Sequence, residues 1–554
     1  MLTHPRGRDD HHDTSRVLPG KLLQFSGFPE LVRHLRKEVN DMSLLNPVQE
    51  RAYSEVVKNF SFTTDSTKID VTQGASYVHS PLFLHDYATG VIASAASALE
   101  HLGQVRGLPS QSIRLDRRLI GLHYNDWLFS YLNGQHLVFD SWGVGPDNGI
   151  YETKDGKWFS YVGDLARLKK EFSRYLDCPL IVESVRRTIK EKNAQEIEDD
   201  MIKLGLPGGW MRSRQEWLDH PVGAYAKDTP IIEFEKRGNS HSRKLGQSKS
   251  RLLLGVRVLD LTNVIANPIG GRLLAEAGAD VININPVTGD FILPTWTEGS
   301  WGKRNIRLDL KSQEGKRRFK ELLSTADVLI DGHAPGAFER LGFDSDTLFN
   351  INPNLIRTGV SFAPRGSLWE KRRGFEQIAQ TVTGVTHAQS EGSPEPHYTP
   401  MLINDYSGAY LMLAAVAAAL VQREAEGGYW DAHISLIANS TRAAGFTGST
   451  EIPEKFVEDD LIKYAVDQES DLGVWTNFTP AIDFSHTKLG TRVFPSLPGS
   501  SPTDISWLPL SDAEFEVPYY PSQLARDGRI TGFFPNYGAE DRCDGPTGSL
   551  SIIF

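Results

Sequence analysis

The sequence predicts an α/β protein organised on a doubly wound parallel sheet, and three observations predict it. From Leu252 onward, short apolar runs alternate with amphipathic stretches, the order that yields a parallel sheet flanked by helices. Residues 268–278 carry proline near the start and glycine at the end, the usual punctuation of a helix. Downstream, Asn404-Asp405-Tyr406-Ser407-Gly408 opens the apolar run 409–421, a long helix-forming segment headed by one acidic residue.

The elements come in order along the chain. Residues 254–261 show a buried-strand pattern and 280–285 a second strand. Residues 306–310 alternate as a short strand behind the basic turn Lys303-Arg304-Asn305. Residues 312–325 form an amphipathic helix, 327–330 a third strand of the alternation and 355–360 a fourth. Sheets of this class bind ligands beyond the carboxyl ends of their strands, which makes 262–268 the first candidate loop. That loop lacks a G-x-G-x-x-G turn, and Pro268 removes an amide, so a nicotinamide or flavin dehydrogenase is disfavoured. No Walker A sequence occurs. Lys303-Arg304 reads either as a phosphate grip or as solvated surface, and Arg372-Arg373 favours the first only if it lies near Lys303.

Ahead of the sheet, residues 81–145 read as a degenerate half-copy. Asp86-Tyr87-Ala88-Thr89-Gly90 leads into a small-residue helix, a polar stretch and Ser112-Ile113-Arg114-Leu115-Asp116. Asp405-Tyr406-Ser407-Gly408 leads into an Ala-rich helix, then Gly427-Gly428 and His433-Ile434-Ser435-Leu436. A separation of hundreds of residues marks a weak internal repeat, not a solenoid. Residues 146–237 read as a small α+β domain: hairpin strands at 149–152 and 158–162 around Asp155-Gly156, helices at 165–175 and 182–204, a break at 204–209, and a short helix from Gln215. The expected organisation is a polar N-terminal arm at 1–80, the half-copy at 81–145, the small domain at 146–237, a linker at 238–250, the α/β domain at 251–450 and a C-terminal extension at 451–554.

With 554 residues, the chain is long enough for several domains or one large α/β body. Hydrophobic content of 40% and charged content of 23% suit a globular protein with a real core. A net charge of −11 argues against a general nucleic-acid binder. Two cysteines, Cys178 and Cys543, exclude a disulfide scaffold and a Cys-rich zinc site and suit a reducing compartment. His11-His12-Asp13 are adjacent on a polar tail and do not converge as metal ligands, so no metal is expected. Residues 1–20 have no apolar core of signal-peptide length, the run 409–421 is too short to span a bilayer, and the C-terminus is not a peroxisomal tail. A cytoplasmic protein without membrane contact is expected.

Ordered blocks then carry a resemblance. Val256-Arg257-Val258-Leu259-Asp260-Leu261-Thr262, Leu274-Ala275-Glu276-Ala277-Gly278-Ala279-Asp280-Val281, Gly302-Lys303-Arg304-Asn305 with Leu308-Asp309-Leu310-Lys311, Ala334-Pro335-Gly336-Ala337-Phe338-Glu339-Arg340-Leu341-Gly342, Arg373-Gly374-Phe375-Glu376-Gln377 and Asn404-Asp405-Tyr406-Ser407-Gly408 resemble, in order, the blocks of the class III CoA-transferases, the CaiB/BaiF family. The close match runs from Leu252 to Leu436, and the whole chain resembles the fused, double-length members. The resemblance implies a Rossmann-like sheet, no permanently bound cofactor, and an acyl-CoA thioester and a small carboxylic acid as substrates. It also implies the chemistry. An aspartate carboxylate attacks the thioester, giving a mixed anhydride and CoA thiolate. The thiolate then attacks to leave an aspartyl-CoA thioester, and the acceptor acid runs the same steps backwards.

Block matching carries the nucleophile to Asp405. It carries Val264, Ile265 and Ala266 to a loop along CoA, and places Lys303 and Arg304 among the CoA-binding residues. Arg340 and Leu341 match a segment near its adenine and phosphates, and Arg373 and Glu376 a loop beside the nucleophile. Gly332-His333 departs from a common Asn-Phe pair, Asn285 from a frequent Glu and Asn267 from a frequent Gly. Alone, a carboxylate at the head of a helix reads as a cap. As a nucleophile, Asp405 is expected to be kept anionic by the helix dipole, with Ser407 and Gly408 admitting a bulky thioester and nearby amides holding the oxyanion. Asp86 reads as structural, because no Gly-Phe-Glu block precedes it. Family members that racemise 2-methylacyl-CoA need a His-Asp pair where this chain has Phe375-Glu376, and phenylalanine moves no proton, so racemisation is disfavoured and stands as the alternative activity. A non-catalytic CoA-binding or scaffold role is the other alternative. The acceptor pocket is expected near Trp301, Phe375, Tyr406 and the small domain. A homodimer and a pseudo-dimeric monomer are both open.

Overall fold

The computed structural model describes residues 42–126, 129–137, 145–289, 291–454, 456–510 and 519–530. His11-His12-Asp13 and Cys543 lie outside them. The chain divides into two units, 1–42 and 43–554, and all the elements named belong to the second.

Within the segment expected as an arm, α1 (Pro47–Val57) is a well-capped helix: Asn46 accepts the amides of Val48 and Gln49, and proline begins its first turn. Strand β1 (Ile69–Thr72) comes next, then α2 (Leu84–Val105), β2 (Ile113–Asp116) and α3 (Arg117–His123). Helix α2 is buried almost throughout. Gly90 lets α1 lie against it: a Cβ there would stand 2.4 Å from the Gln49 carbonyl oxygen.

The segment expected as a small domain has strands Asn148–Glu152, Trp158–Val162 and Gly208–Trp210 in one antiparallel sheet. The hairpin forms as the Asp155-Gly156 turn predicts. The helix expected over 182–204 is two helices, Val182–Ile189 and Ala194–Leu204, because Asn193 caps a new start; Gly205, with φ of 65°, ends the second.

Strand β3 (Ile232–Gly238), expected at the end of the small domain, is instead part of the main sheet. The alternation then unrolls as β4 (Arg257–Leu261), α4 (Ala266–Glu276), β5 (Asp280–Asn285), β6 (Lys303–Arg307), β7 (Val328–Asp331), β8 (Ile356–Ser361), α5 (Glu376–Thr383), α6 (Ile403–Glu426), β9 (Tyr429–Ser435) and α7 (Leu436–Ala443). The strands lie in the order β6-β5-β4-β7-β8-β9-β3, all parallel except β3, which runs antiparallel to β9. Helix α6 is apolar and long enough to cross a membrane, yet it is enclosed on all sides by this protein.

Residues from the far end of the chain complete the N-terminal half. Strand β10 (Ile482–Phe484) pairs antiparallel with β2, which is itself parallel to β1. The triplet β1-β2-β10 thus repeats the directions of β8-β9-β3. Helix α2 precedes β2 as α6 precedes β9, and α3 succeeds β2 as α7 succeeds β9. The two long helices pack on each other. Their Ala-rich faces permit this, since interaxial distance depends on side-chain size.

Candidate active site

Helix α6 begins without a side-chain cap at Leu402. Its exposed amides are taken up by Glu376, the first residue of α5. Glu376 Oε2 accepts the backbone N–H of Asn404 at 2.7 Å and of Asp405 at 2.6 Å. Its Oε1 accepts Asn404 Nδ2 at 2.8 Å and Gln380 Nε2 at 2.8 Å. One carboxylate from another helix therefore does the work of an N-cap.

Asp405 lies in the first turn and is 7% exposed. Among the described residues, no hydrogen-bond donor reaches its carboxyl oxygens. Burial, and then the charge of Glu376, push its carboxyl well above the ordinary range. Burial likewise pushes Glu376 up to about 7, against the four donors that favour its anion. The expectation that the helix dipole keeps Asp405 anionic is corrected here. The amides that carry the positive end of α6 are already occupied by Glu376, so Asp405 meets burial and a like charge instead.

Asp86 occupies the same third position of α2 and is treated differently. Arg117 donates to it through Nε at 3.1 Å and Nη2 at 3.0 Å, Asn46 Nδ2 at 2.9 Å and Gln49 Nε2 at 2.8 Å. Arg117 also grips Glu451 at 2.6 Å. It is the first residue of α3, directly after the capping Asp116; the first residue of α7, directly after the capping Ser435, is Leu436. At the position matching Arg117, the second copy has an aliphatic residue, Leu436.

The loop after β4 approaches α6 one turn beyond Asp405. A Cβ on Gly408 would stand 3.3 Å from Val360 and 3.9 Å from Ala266. Ile265 and Ala266 are buried, and Asn267 clasps the end of β8, donating to the Val360 carbonyl at 3.0 Å and accepting its amide at 2.7 Å. Val264 has φ of 75°. A β-branched residue there is strained by roughly 1–3 kcal/mol, and such strain gathers at ligand sites. A narrow cleft opens beside it, with Thr262, Asn263, Trp296 and Lys303 in its wall.

Several expected contacts turn out otherwise. Lys303 is no phosphate grip: it is 1% exposed and bonds Asp260 at 2.6 Å and the Pro268 carbonyl at 2.6 Å. Arg304 is committed to both carboxylate oxygens of Asp280, at 2.7 and 2.8 Å. Arg372 is buried on Glu198 at 3.1 Å and joins the small domain to the α5 loop. Trp301 packs edge-on to Trp475 inside the core, and Tyr406 bonds buried Glu298 at 2.9 Å, so neither forms an open acceptor pocket. Phe375 is half-buried.

Arg340 is exposed, and Leu341 packs on the core beneath it. Arg373 is half-buried, and burial followed by the positive charges of Arg167 and Arg340 depresses its value. Arg373 of the α5 loop thus feels Arg167, from the segment 146–237, and Arg340, from the helix Ala337–Arg340. None is paired with a carboxylate among the described residues. Sequence reading missed Arg167, which sits in no motif. It also missed the buried set around Arg272, which bonds Asp126 at 2.7 Å and Glu276 at 2.7 Å and lies 3.6 Å from Glu298. No spacing in the sequence links those residues.

Comparison with known proteins adds an outside observation. The model of CoA-transferase family III matches residues 253–459. An acyl-CoA transferase of Gibberella moniliformis is 28% identical over 315 residues, covering 52% of this chain and 55% of that protein. The succinyl-CoA–L-malate CoA-transferase beta subunit of Chloroflexus aurantiacus is 36% identical over 196 residues, covering 33% of this chain and 48% of that protein. A crystal structure of a CaiB/BaiF family protein from Brucella suis aligns at 25% identity with a TM-score of 0.33 over 35% of this chain and 55% of its own. The chain spans about half the length of the curated relatives it matches.

Proposed function

We propose, on the match of residues 253–459 to the model of CoA-transferase family III, that this chain transfers CoA between an acyl-CoA thioester and a free carboxylic acid through an intermediate on Asp405. The observation that carries the reading is the buried Asp405 carboxyl, which has no donor on it among the described residues while its backbone amide is held by Glu376. A desolvated carboxylate attacks a thioester carbonyl readily once ionised, because no hydration shell has to be stripped from it.

The steps balance. An Asp405 carboxylate oxygen bonds to the acyl carbon, and the C–S bond breaks to release CoA thiolate. The thiolate attacks the aspartyl carbonyl carbon of the mixed anhydride and expels the donor acid as a carboxylate. An acceptor carboxylate then attacks the aspartyl-CoA, and the sequence runs in reverse to give the new thioester and free Asp405. Glu376 positions the nucleophile by holding its amide. Val264, Ile265 and Ala266 line the approach, and Arg340, Arg373 and Arg167 supply positive charge for the phosphates of CoA.

The test is a panel of acyl-CoA donors and carboxylic acids, with trapping of the intermediate by hydroxylamine or borohydride. Modification maps to Asp405 and is lost in Asp405→Asn. Wild-type transfer by Asp405→Asn contradicts the reading.

A further inference from the structure

The two half-copies hold the starts of α2 and α6 by the same device. Just past the end of α7, the Phe446 carbonyl accepts the amide of Phe83 at 2.7 Å, and its ring meets Tyr87 edge-on at 4.9 Å. Just past the end of α3, the Tyr124 carbonyl accepts the amide of Leu402 at 3.1 Å, and its ring lies 5.8 Å from that of Tyr406. Phe83 and Leu402 are the residues preceding their helices, and Tyr87 and Tyr406 are the fourth residues within them. The carbonyl contact and the ring contact are therefore common to both copies.

One contact is not common. Tyr124 Oη lies 3.0 Å from Ser407 Oγ, and both groups are fully enclosed. At the matching places the other copy has Phe446, which lacks a hydroxyl, and Ala88. The polar pair exists only beside the aspartate that no arginine clamps. The neighbouring Asn125 reinforces the attachment, donating to the Pro400 carbonyl at 2.5 Å. Asp405 is thus bracketed: Glu376 holds its amide from α5, and Tyr124 reaches across from the N-terminal half to the residue two positions on.

We propose that Tyr124 is a positioning residue for Asp405, and that its hydroxyl bond to Ser407 sets the start of α6 in the geometry the reaction needs. This role rests on the transferase reading of Asp405. The other half-copy, with Phe446 and Ala88 at these places, keeps the carbonyl and ring contacts without the two hydroxyls. The bond is therefore not needed for packing, and its loss should appear in rate.

The experiment uses the full chain and compares Tyr124→Phe, Ser407→Ala and the double variant with wild type. In each, kcat falls about tenfold, the size of one buried hydrogen bond. KM for acyl-CoA stays within about twofold, and the thermal midpoint within a few degrees. The double variant is no slower than either single, because both remove one bond. The proposal is overturned if Tyr124→Phe keeps wild-type kcat while Asp405→Asn is inactive, or if kcat drops only in step with thermal stability. Full activity in Asp405→Asn would instead remove the nucleophile, and this role with it.

Discussion

Arg117 clamps Asp86 through two of its nitrogens, at 3.1 and 3.0 Å, and the helix that Arg117 begins is matched in the second half by one that begins with Leu436. The same acidic-aromatic motif is thereby a structural ion pair in one place and, among the described residues, an unpaired buried carboxyl in the other. Removing one partner of a buried pair leaves a charge without compensation, at a cost of about 3–5 kcal/mol. Arg117→Leu is expected to lower stability by that order in denaturant unfolding. Asp86→Asn should leave transfer activity within about twofold of wild type. A transferase-dead Asp86→Asn variant that remains folded would show that Asp86 takes part in the chemistry.

Lys303 offers a second test, because its role differs from the one its motif suggests. As the buried partner of Asp260, it is expected to contribute stability, and Lys303→Met should cost about 3–5 kcal/mol. A large rise in KM for acyl-CoA with stability unchanged would restore the phosphate-grip reading.

The main sheet was legible in the sequence because strand-helix alternation and terminal glycines are local signals. The Asp155-Gly156 hairpin was legible for the same reason. What could not be read was anything joining distant segments. The pairing of Ile482–Phe484 with β2 and of β3 with β9 brings together residues hundreds apart, with no pattern to announce it. At the site, Asp405 and Glu376 stood out through ordered blocks, but their electrostatics did not. Whether a carboxylate caps a helix or is pushed up by burial depends on which group takes the amides, and that is a three-dimensional fact. Lys303 illustrates the same limit: a lysine next to an arginine looks like surface until Asp260 is seen behind it.

The three arginines predict a binding effect. Arg340→Ala, Arg373→Ala and Arg167→Ala should each raise KM for acyl-CoA by about tenfold or more, the usual loss for a charge-assisted hydrogen bond, with kcat little changed. Added salt should weaken wild-type binding and have less effect on the variants. Arg167 is the sharpest of the three, because it lies outside the family-matched region; wild-type KM in Arg167→Ala would remove the small domain from CoA binding.

The carboxyl pair predicts a pH dependence. Asp405, raised by burial and then by the charge of Glu376, must lose its proton before the nucleophile is armed. Transfer should therefore rise with pH on an acid limb above the ordinary carboxylate range, and Glu376→Gln, which removes the like charge beside Asp405, should move that limb to lower pH. The stability effect has the opposite sense. Relative to an unfolded value of 4.5, the folded state retains the Glu376 proton to higher pH, so this group's contribution falls as pH rises from 4.5 through about 7. The drop in thermal midpoint across that window should be smaller in Glu376→Gln than in wild type. An equal drop in both would contradict the raised value.

The most direct measurement is the stoichiometry and position of the trapped intermediate. After incubation with a reactive acyl-CoA and rapid borohydride quench, peptide mass spectrometry of the full chain should find one modified carboxyl per chain, at Asp405, with Asp86 unmodified. Asp405→Asn should show none. Modification at Asp86, or an unmodified Asp405 in a chain that is turning over, would contradict the account.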